Sequence, residues 1–119
     1  MDLGRVVDIA QINTFSWHKS SRAPQVYRVF GSDGSAPGFN ASPGRGVDPA
    51  GCGWTLIAFV DTRPSHVPQE MGGQYAASIR SDAGVVGRYR HLLFQMFVTE
   101  TQDWDGHTFY NEIDVVERK

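Results

Sequence analysis

Two short segments of the chain concentrate side chains suited to holding a small polar ligand. Trp17-His18 precedes Arg22 by a few residues, and Asp103-Trp104 precedes His107 by a similar distance. Sugar rings present flat apolar faces that stack on exposed indoles, and their hydroxyls take hydrogen bonds from forked or charged side chains. The mixture predicts saccharide binding at Trp17, His18, Arg22, Asp103, Trp104 and His107.

The three tryptophans have a second ordinary role, which is packing. An indole in a loop can cap the core beneath it, and the sequence leaves this role of Trp17 open beside the ligand-binding one. Trp54 stands at the start of an apolar segment beside Gly53, so we assign it to the core.

Arg88 and Arg90 share one face of a strand-like segment, opposite Tyr89. An arginine pair on one face can bind the carboxylate or sulfate of an acidic sugar. The favoured alternative is an ion pair with an acidic residue on a neighbouring strand.

The sequence gives no pattern for catalysis. It has no nucleophile elbow, no H-E-x-x-H and no phosphate-cradling glycine loop. The four histidines fall in separate segments without ligand spacing, and His91 reads as a histidine at the edge of the core. Glycoside hydrolysis needs a pair of carboxylates flanking a cleft, and a 119-residue sandwich leaves little room for one. We therefore predict a protein that is not an enzyme. The carboxylates considered are Glu100, Asp103, Asp105 and Glu112.

Length and composition limit which other classes of protein the chain can belong to. The 119 residues predict one domain, covering residues 1–119. Eleven Lys and Arg against thirteen Asp and Glu leave a net charge of -2, which gives no electrostatic case for nucleic acid. The single cysteine, Cys52, excludes an internal disulfide and reads as an inert thiol in a turn. No apolar run reaches the roughly 20 residues of a membrane span, and the first residues do not resemble a signal peptide.

The elements that must position these residues are short strands separated by Gly, Pro and Asp. The segment Gly87–Thr99 alternates two faces without a turn-forming residue after Tyr89, which predicts a central strand. The long Ser32–Gly53 segment reads as a loop, of a length that tends to be functional or loosely ordered. This pattern predicts an all-β fold, an antiparallel sandwich or jelly roll. The predicted strands are Arg5–Phe15, Gln25–Gly31, Trp54–Thr62, Gln74–Ser81, Gly87–Thr99 and Thr108–Glu117.

Five motifs, in order along nearly the whole chain, resemble the discoidin-like, coagulation-factor type C group of galactose-binding-like domains. The similarity includes the D-L-G opening strand, a strand ending in S-x-D-G, a strand beginning with Trp, the A-R-Y-v-R-l strand and the closing l-x-E-I-e-V strand. In this chain they are Asp2–Ile12, Pro24–Gly34, Trp54–Val60, Gly87–Phe94 and Phe109–Val116.

The resemblance implies an antiparallel jelly-roll β-sandwich without catalytic activity. It also implies a carbohydrate-binding module appended to other domains of a larger extracellular or cell-surface protein, with a polysaccharide or glycan as partner. The sequence departs from the group in lacking the strands that normally precede the D-L-G segment, which hold most of a structural calcium site. Glu112 matches the closing-strand glutamate that ligates calcium in the group. Calcium takes six to eight oxygens, and Glu112 is the only plausible side-chain ligand at that point.

Two other functions stay open at this stage. The aromatic side chains can instead pack against a neighbouring domain, which would make the chain an architectural or protein-interaction sandwich. A lipid-headgroup binder is the third reading, but it wants exposed apolar side chains surrounded by Lys and Arg, and Ser32–Gly53 has almost none.

Overall fold

A computed structural model of the chain describes residues 1–19, 21–63, 72–99 and 106–119. The fold is all-β and antiparallel, as predicted, and its curled sheet forms a half-barrel compatible with an all-β sandwich. A single turn of 3-10 helix, Pro49–Cys52, interrupts the long segment between the second and third strands. The six strands are β1 (Asp2–His18), β2 (Val26–Ser32), β3 (Thr55–Asp61), β4 (Gly73–Arg80), β5 (Gly87–Met96) and β6 (Tyr110–Glu117).

β1 is the strand on which the sheet is built, because it pairs with three others. Its first half pairs with β5, and its second half lies between β4 and β6. The remaining order is β3-β2-β5, which places β5 between β2 and β1. The predicted central strand is therefore central. β4 and β5 run one after the other along β1, separated by a turn in which the Gly84 amide donates to the Ser81 carbonyl over 2.8 Å.

β1 extends beyond the predicted Arg5–Phe15 at both ends. At its far end Trp17 opposes Gln74 and His18 opposes Gly73. Trp17 and His18 therefore belong to a strand, and the loop predicted to hold them begins after His18. The pairing that extends β1 comes from residues about 55 positions away in the chain, so local sequence could not indicate it.

A β-bulge at Ala10 changes which side of β1 faces the core. Ala10 has no partner in β6, because Ile9 opposes Glu117 and Gln11 opposes Val116. An extra residue on one strand shifts the alternation of side chains by one position. The buried residues are odd-numbered before the bulge and even-numbered after it: Val7, Ile9, Ile12, Thr14 and Ser16.

The apolar core lies between β1, β2 and β5. Its buried members are Val7, Ile9, Ile12, Tyr27, Val29 and Leu92. By contrast, no residue of β3, β4 or β6 is fully buried, and their inward-facing side chains are half-buried. The concave side of the half-barrel is therefore incompletely covered by the described residues.

One end of the barrel interior is polar and centred on Gln25, which is fully buried. Its amide nitrogen donates to the Thr14 carbonyl (3.2 Å), to Ser16 Oγ (3.1 Å) and to the Tyr75 carbonyl (3.2 Å). Its amide oxygen accepts from Thr14 Oγ1 over 2.5 Å. Burial also raises the pKa of the Tyr27 phenol, whose oxygen lies 2.9 Å from the same Thr14 hydroxyl. These hydrogen bonds reach β1 and β4, and Gln25 immediately precedes β2, so Gln25 ties the three strands together.

The segment 33–54 packs on the outer side of β5, where it forms a small second core. Trp54 is only 5% exposed, which confirms its assignment to the core, and its indole nitrogen donates to the Asn40 carbonyl over 2.8 Å. The Phe39 ring lies 5.3 Å from Trp54 and 5.1 Å from His91, between centroids. His91 is half-buried, as predicted for the edge of a core. In the part of the chain that is described, no helix has the length and apolarity to cross a membrane.

Replacing Gln25 by Ala should destabilise the fold by about 3 kcal/mol, because Thr14, Ser16 and the Tyr75 carbonyl would lose a partner inside the barrel. Urea denaturation of the variant and the parent measures the difference. Gln74→Ala, an exposed amide on β4, is the matched control and should change the free energy of unfolding by less than about 0.5 kcal/mol. A similar small change for Gln25→Ala would contradict the role given to this network.

Candidate functional site

Trp17 lies on the outer face of the sheet formed by β4, β1 and β6. After the bulge at Ala10 the odd-numbered residues of β1 point outward, and the Trp17 side chain is 49% exposed. It borders a surface groove of about 430 Å³. Cavities of this order of size hold small-molecule ligands. The groove is lined by Phe15, Ser16, Trp17, Gln74, Tyr75, Ala76, Asn111 and Glu112.

The shape of the groove follows from the register of the three strands. Phe15, in the middle strand, opposes Ala76 on β4 and Glu112 on β6. Directly opposed residues share one face of a sheet, so all three side chains point outward. The methyl group of Ala76 leaves a depression beside the Phe15 ring, and Gln74, opposite Trp17, closes it at one end.

A second β-bulge places two polar side chains on the rim. Phe15 opposes Glu112 and Ser16 opposes Tyr110, so Asn111 is an extra residue of β6. Tyr110 turns inward, where its ring meets Tyr27 edge-on at 6.1 Å and burial raises the pKa of its phenol. Asn111 and Glu112 both stay exposed. Bulges commonly redirect side chains in this way next to functional sites.

Three of the predicted site residues meet around Phe109 instead of around the groove. The His18 ring stacks on Phe109 with 4.8 Å between centroids and an interplanar angle of 7°. The Arg22 guanidinium carbon lies 4.2 Å from the centre of the same ring, and Arg22 Nε donates to the His107 carbonyl over 2.8 Å. This group, His18, Arg22, His107 and Phe109, is called the Phe109 cluster below.

The Phe109 cluster adjoins the groove through the backbone, since the Trp17 amide donates to the Phe109 carbonyl over 3.2 Å. Successive residues of a strand point to opposite faces. Trp17 therefore faces the groove, while His18 faces the Phe109 cluster, and one flat ligand does not contact both rings. The structure thus brings the predicted residues near each other but divides them between two surfaces.

Asp103 and Trp104 lie outside the described residues, as do His66, Glu100 and Asp105. The segment that contains Asp103 and Trp104 is bounded by a hydrogen bond in which the Thr99 amide donates to the Gly106 carbonyl over 2.9 Å. Their role in binding stays a prediction.

Sequence reasoning missed Phe15, Gln74, Ala76 and Asn111 as groove residues. Each is an ordinary strand residue in the sequence, and only the pairing of β1 with β4 and β6 places them beside Trp17. The alternation of β4, with Gln74 and Ala76 on its outward positions, was the one signal available.

Glu112 supplies a carboxylate to the groove but little else that a cation would need. In the described part of the chain, no three side chains among His, Cys, Asp and Glu come together in a way that could hold a metal ion. The other groove-lining residues that carry a side-chain oxygen are Ser16, Gln74, Tyr75 and Asn111, and none of them is a carboxylate. Calcium prefers six to eight oxygens, so the described residues alone do not fit a calcium site. Calcium binding stays a prediction from the resemblance.

Arg90 is held by an acidic residue of the neighbouring strand, as the favoured alternative predicted. Its guanidinium donates to both carboxylate oxygens of Asp2 over 2.9 and 3.0 Å. The hydrogen bonds from Arg90, and then that from the Gly4 amide, hold the pKa of Asp2 well below its usual range. Arg88 is exposed nearby on the same strand.

The pKa of Asp2 should therefore respond to Arg90. A carboxyl whose pKa is lowered by folding stabilises the fold above the ordinary carboxyl range of about 4, and this contribution is lost as the pH falls further. In Arg90→Gln the Asp2 pKa, followed by NMR titration, should rise toward its ordinary value but stay below it, because the hydrogen bond from the Gly4 amide remains. Arg88→Gln should leave it low. An unchanged Asp2 pKa in Arg90→Gln would show that the pair does not form in solution.

Comparison of the chain with protein-family models, with curated proteins and with solved structures finds no match in any of the three.

Proposed function

We propose that the chain is a non-catalytic carbohydrate-binding module that holds a saccharide in the groove beside Trp17. The observation that carries the proposal is the half-exposed indole standing next to polar side chains on the outer face of the sheet. The exposed part of the Trp17 indole does not stabilise the fold, because it stays in contact with water. A sugar ring stacked on the indole would cover this apolar surface.

Each part of the groove has a role in this proposal. The sugar ring stacks on Trp17, with its edge over the depression between Phe15 and Ala76. Gln74 and Asn111 donate to or accept from ring hydroxyls, and the Glu112 carboxylate accepts from one of them. One indole with two or three polar contacts corresponds to weak binding, on the order of a 1 mM dissociation constant or about −4 kcal/mol. A module of this affinity works by raising the effective concentration of the domains attached to it.

The resemblance to discoidin-like domains supports the proposal without deciding the position of the site. The resembling modules place their ligand at loop ends, which corresponds to Trp17, His18 and Arg22 with Trp104 and its neighbours. The groove lies on the strand face that leads to the same end. We therefore include Trp104 and Asp103 as further ligand contacts, and extracellular or cell-surface location with a polysaccharide partner as part of the proposal.

Trp17→Ala should abolish saccharide binding, because it removes the stacking surface, while the fold stays intact. A glycan array followed by affinity electrophoresis in a polysaccharide gel measures this. Leu56→Ala is the matched control, since Leu56 is a similarly exposed apolar side chain, 52% accessible, on β3. Trp104→Ala, tested in parallel, shows whether the loop segment contributes.

Trp17→Phe should retain part of the binding, since a smaller ring still stacks. Equal binding by the parent and Trp17→Ala to every saccharide would remove the groove from the proposal. The absence of saccharide binding by the parent would favour the alternative function.

The alternative is an architectural or protein-interaction domain, and the exposed edge of the sheet favours it. Among the described strands β3 pairs only with β2, and from Thr55 to Val60 it carries no charge. Leu56 and Phe59 are more than half exposed. Uncharged edge strands readily pair with another chain. Under this alternative, Phe59→Lys would release a partner domain, and Trp17→Ala would not.

A further inference from the structure

The outer face of β2, β3 and β5 carries two grooves, and Trp17 lines neither of them. One, of about 300 Å³, lies between residues 43–49 and the end of β5. The other, of about 290 Å³, is lined by Val26, Arg28, Phe59, Arg63, Phe97 and Val98. Phe97 borders both grooves, so the two form one continuous surface that is called the Phe97 surface below.

Arg28 stands in the middle of the Phe97 surface. It opposes Phe59 on one neighbouring strand and Gln95 on the other. Its guanidinium carbon lies 5.6 Å from the centre of the Phe97 ring. The planar guanidinium is exposed, and contact with the face of an aromatic ring leaves its in-plane N–H groups able to donate.

Arg28 makes no ion pair with a described carboxylate, unlike three of the other described arginines. Arg5, Arg63 and Arg90 each contact a carboxylate within 3 Å. No carboxylate among the described residues makes such a pair with Arg28. The Arg28 guanidinium thus presents its N–H donors to solvent beside the rings of Phe59 and Phe97. Arg45, in the loop above, adds a second cation to the rim.

Gln95 adds a hydrogen-bond acceptor to the Phe97 surface. Its amide oxygen is buried and makes no hydrogen bond within the described residues. A buried acceptor without a partner costs free energy, and such groups need an explanation. Gln95 lines the first groove, next to Arg28 across the strand pair. The oxygen is sealed from solvent, so a ligand hydroxyl or N–H group in the groove would reach it after the Gln95 amide rotates outward.

We infer that the Phe97 surface is a second binding site, specific for a saccharide that carries a carboxylate or a sulfate. Arg28 binds the anion through two parallel hydrogen bonds, Phe97 and Phe59 lie against apolar ring faces, and Gln95 accepts from a hydroxyl. The combination of an anion, hydroxyl donors and a flat apolar face on one small unit is the chemistry of an acidic sugar. Arg63 is tied to Asp61, so Arg28 carries the recognition.

This site is independent of the Trp17 groove, which contains the Glu112 carboxylate and no cationic side chain. The Trp17 groove therefore suits an uncharged saccharide, while the Phe97 surface suits a charged one. Loss of one site leaves the other unchanged, so the two proposals succeed or fail separately.

The test is calorimetric titration at low salt with two matched pairs of ligands. Hexagalacturonate is compared with its methyl ester, and a keratan sulfate hexasaccharide, which has no uronic acid, with its desulfated form. The parent should bind the acidic member of a pair and not its neutral counterpart, and the pair that does so identifies the anion. Arg28→Gln should weaken this binding by about tenfold or more, as expected for hydrogen bonds to a charged group.

Two further variants separate a shaped site from general attraction of charges. Arg28→Lys keeps the charge but loses the planar fork, so it should weaken binding nearly as much as Arg28→Gln. Arg80→Gln removes the same charge from an exposed position on β4 and should have no effect. Equal weakening by Arg80→Gln, full binding by Arg28→Lys, or no binding of either acidic ligand by the parent would each overturn the inference. So would a loss of acidic-ligand binding in Trp17→Ala, which would place the ligand in the other groove.

Discussion

The outward position of Trp17 and Phe15 depends on one extra residue in β1. Because Ala10 has no partner in β6, the alternation of β1 changes at that point, and Trp17 and Phe15 face outward while Thr14 and Ser16 face inward. A strand without this bulge would turn all its later side chains to the opposite face. The indole would then lie inside the barrel and the Gln25 network would lose its partners. The bulge therefore determines both the polar interior and the exposed aromatic face.

The polar interior has a consequence for the groove above it. Gln25 is bonded to Thr14 and Ser16, whose chain neighbours Phe15 and Trp17 form the aromatic part of the groove. The backbone beneath the groove is thus fixed by buried hydrogen bonds on one side and by ladders to β4 and β6 along both edges. Side chains held in this way lose little conformational freedom when a ligand binds, which lowers the entropic cost of association. A site on strands is more rigid than one on loops for the same reason.

Much of the fold could be predicted from local sequence, because alternation and turn residues are local properties. All six predicted strands exist, and the central position of Gly87–Met96 follows from its length and apolar face. The limits of β1 could not be predicted, since they depend on pairing with distant strands. The segment 33–54 has the composition of a loose loop, yet Phe39 and Trp54 anchor it against His91. Here the packing of two aromatic side chains orders a segment whose many glycines and prolines predict a loose loop.

The candidate site was harder to predict for a related reason. Trp17 was singled out by its residue type, and its partners were sought among its neighbours in the chain, but His18 and Arg22 contact Phe109 instead. The residues that surround Trp17 become neighbours only through strand register, and Asn111 only through a bulge. Register is a property of two segments together, so neither segment carries the signal alone.

The buried residues that stabilise the core are different from the exposed residues that form the proposed binding surfaces. Fully buried apolar residues of the core cluster come from β1, β2 and β5, whereas β4 and β6, which form two sides of the Trp17 groove, contain no fully buried residue. Substituting an exposed side chain such as Gln74 therefore removes few packing contacts, and most such changes alter stability by less than about 0.5 kcal/mol. The same is true of Arg28, the one exposed residue of a strand that is otherwise buried. The side chains of both proposed surfaces can therefore change in sequence without disturbing the core.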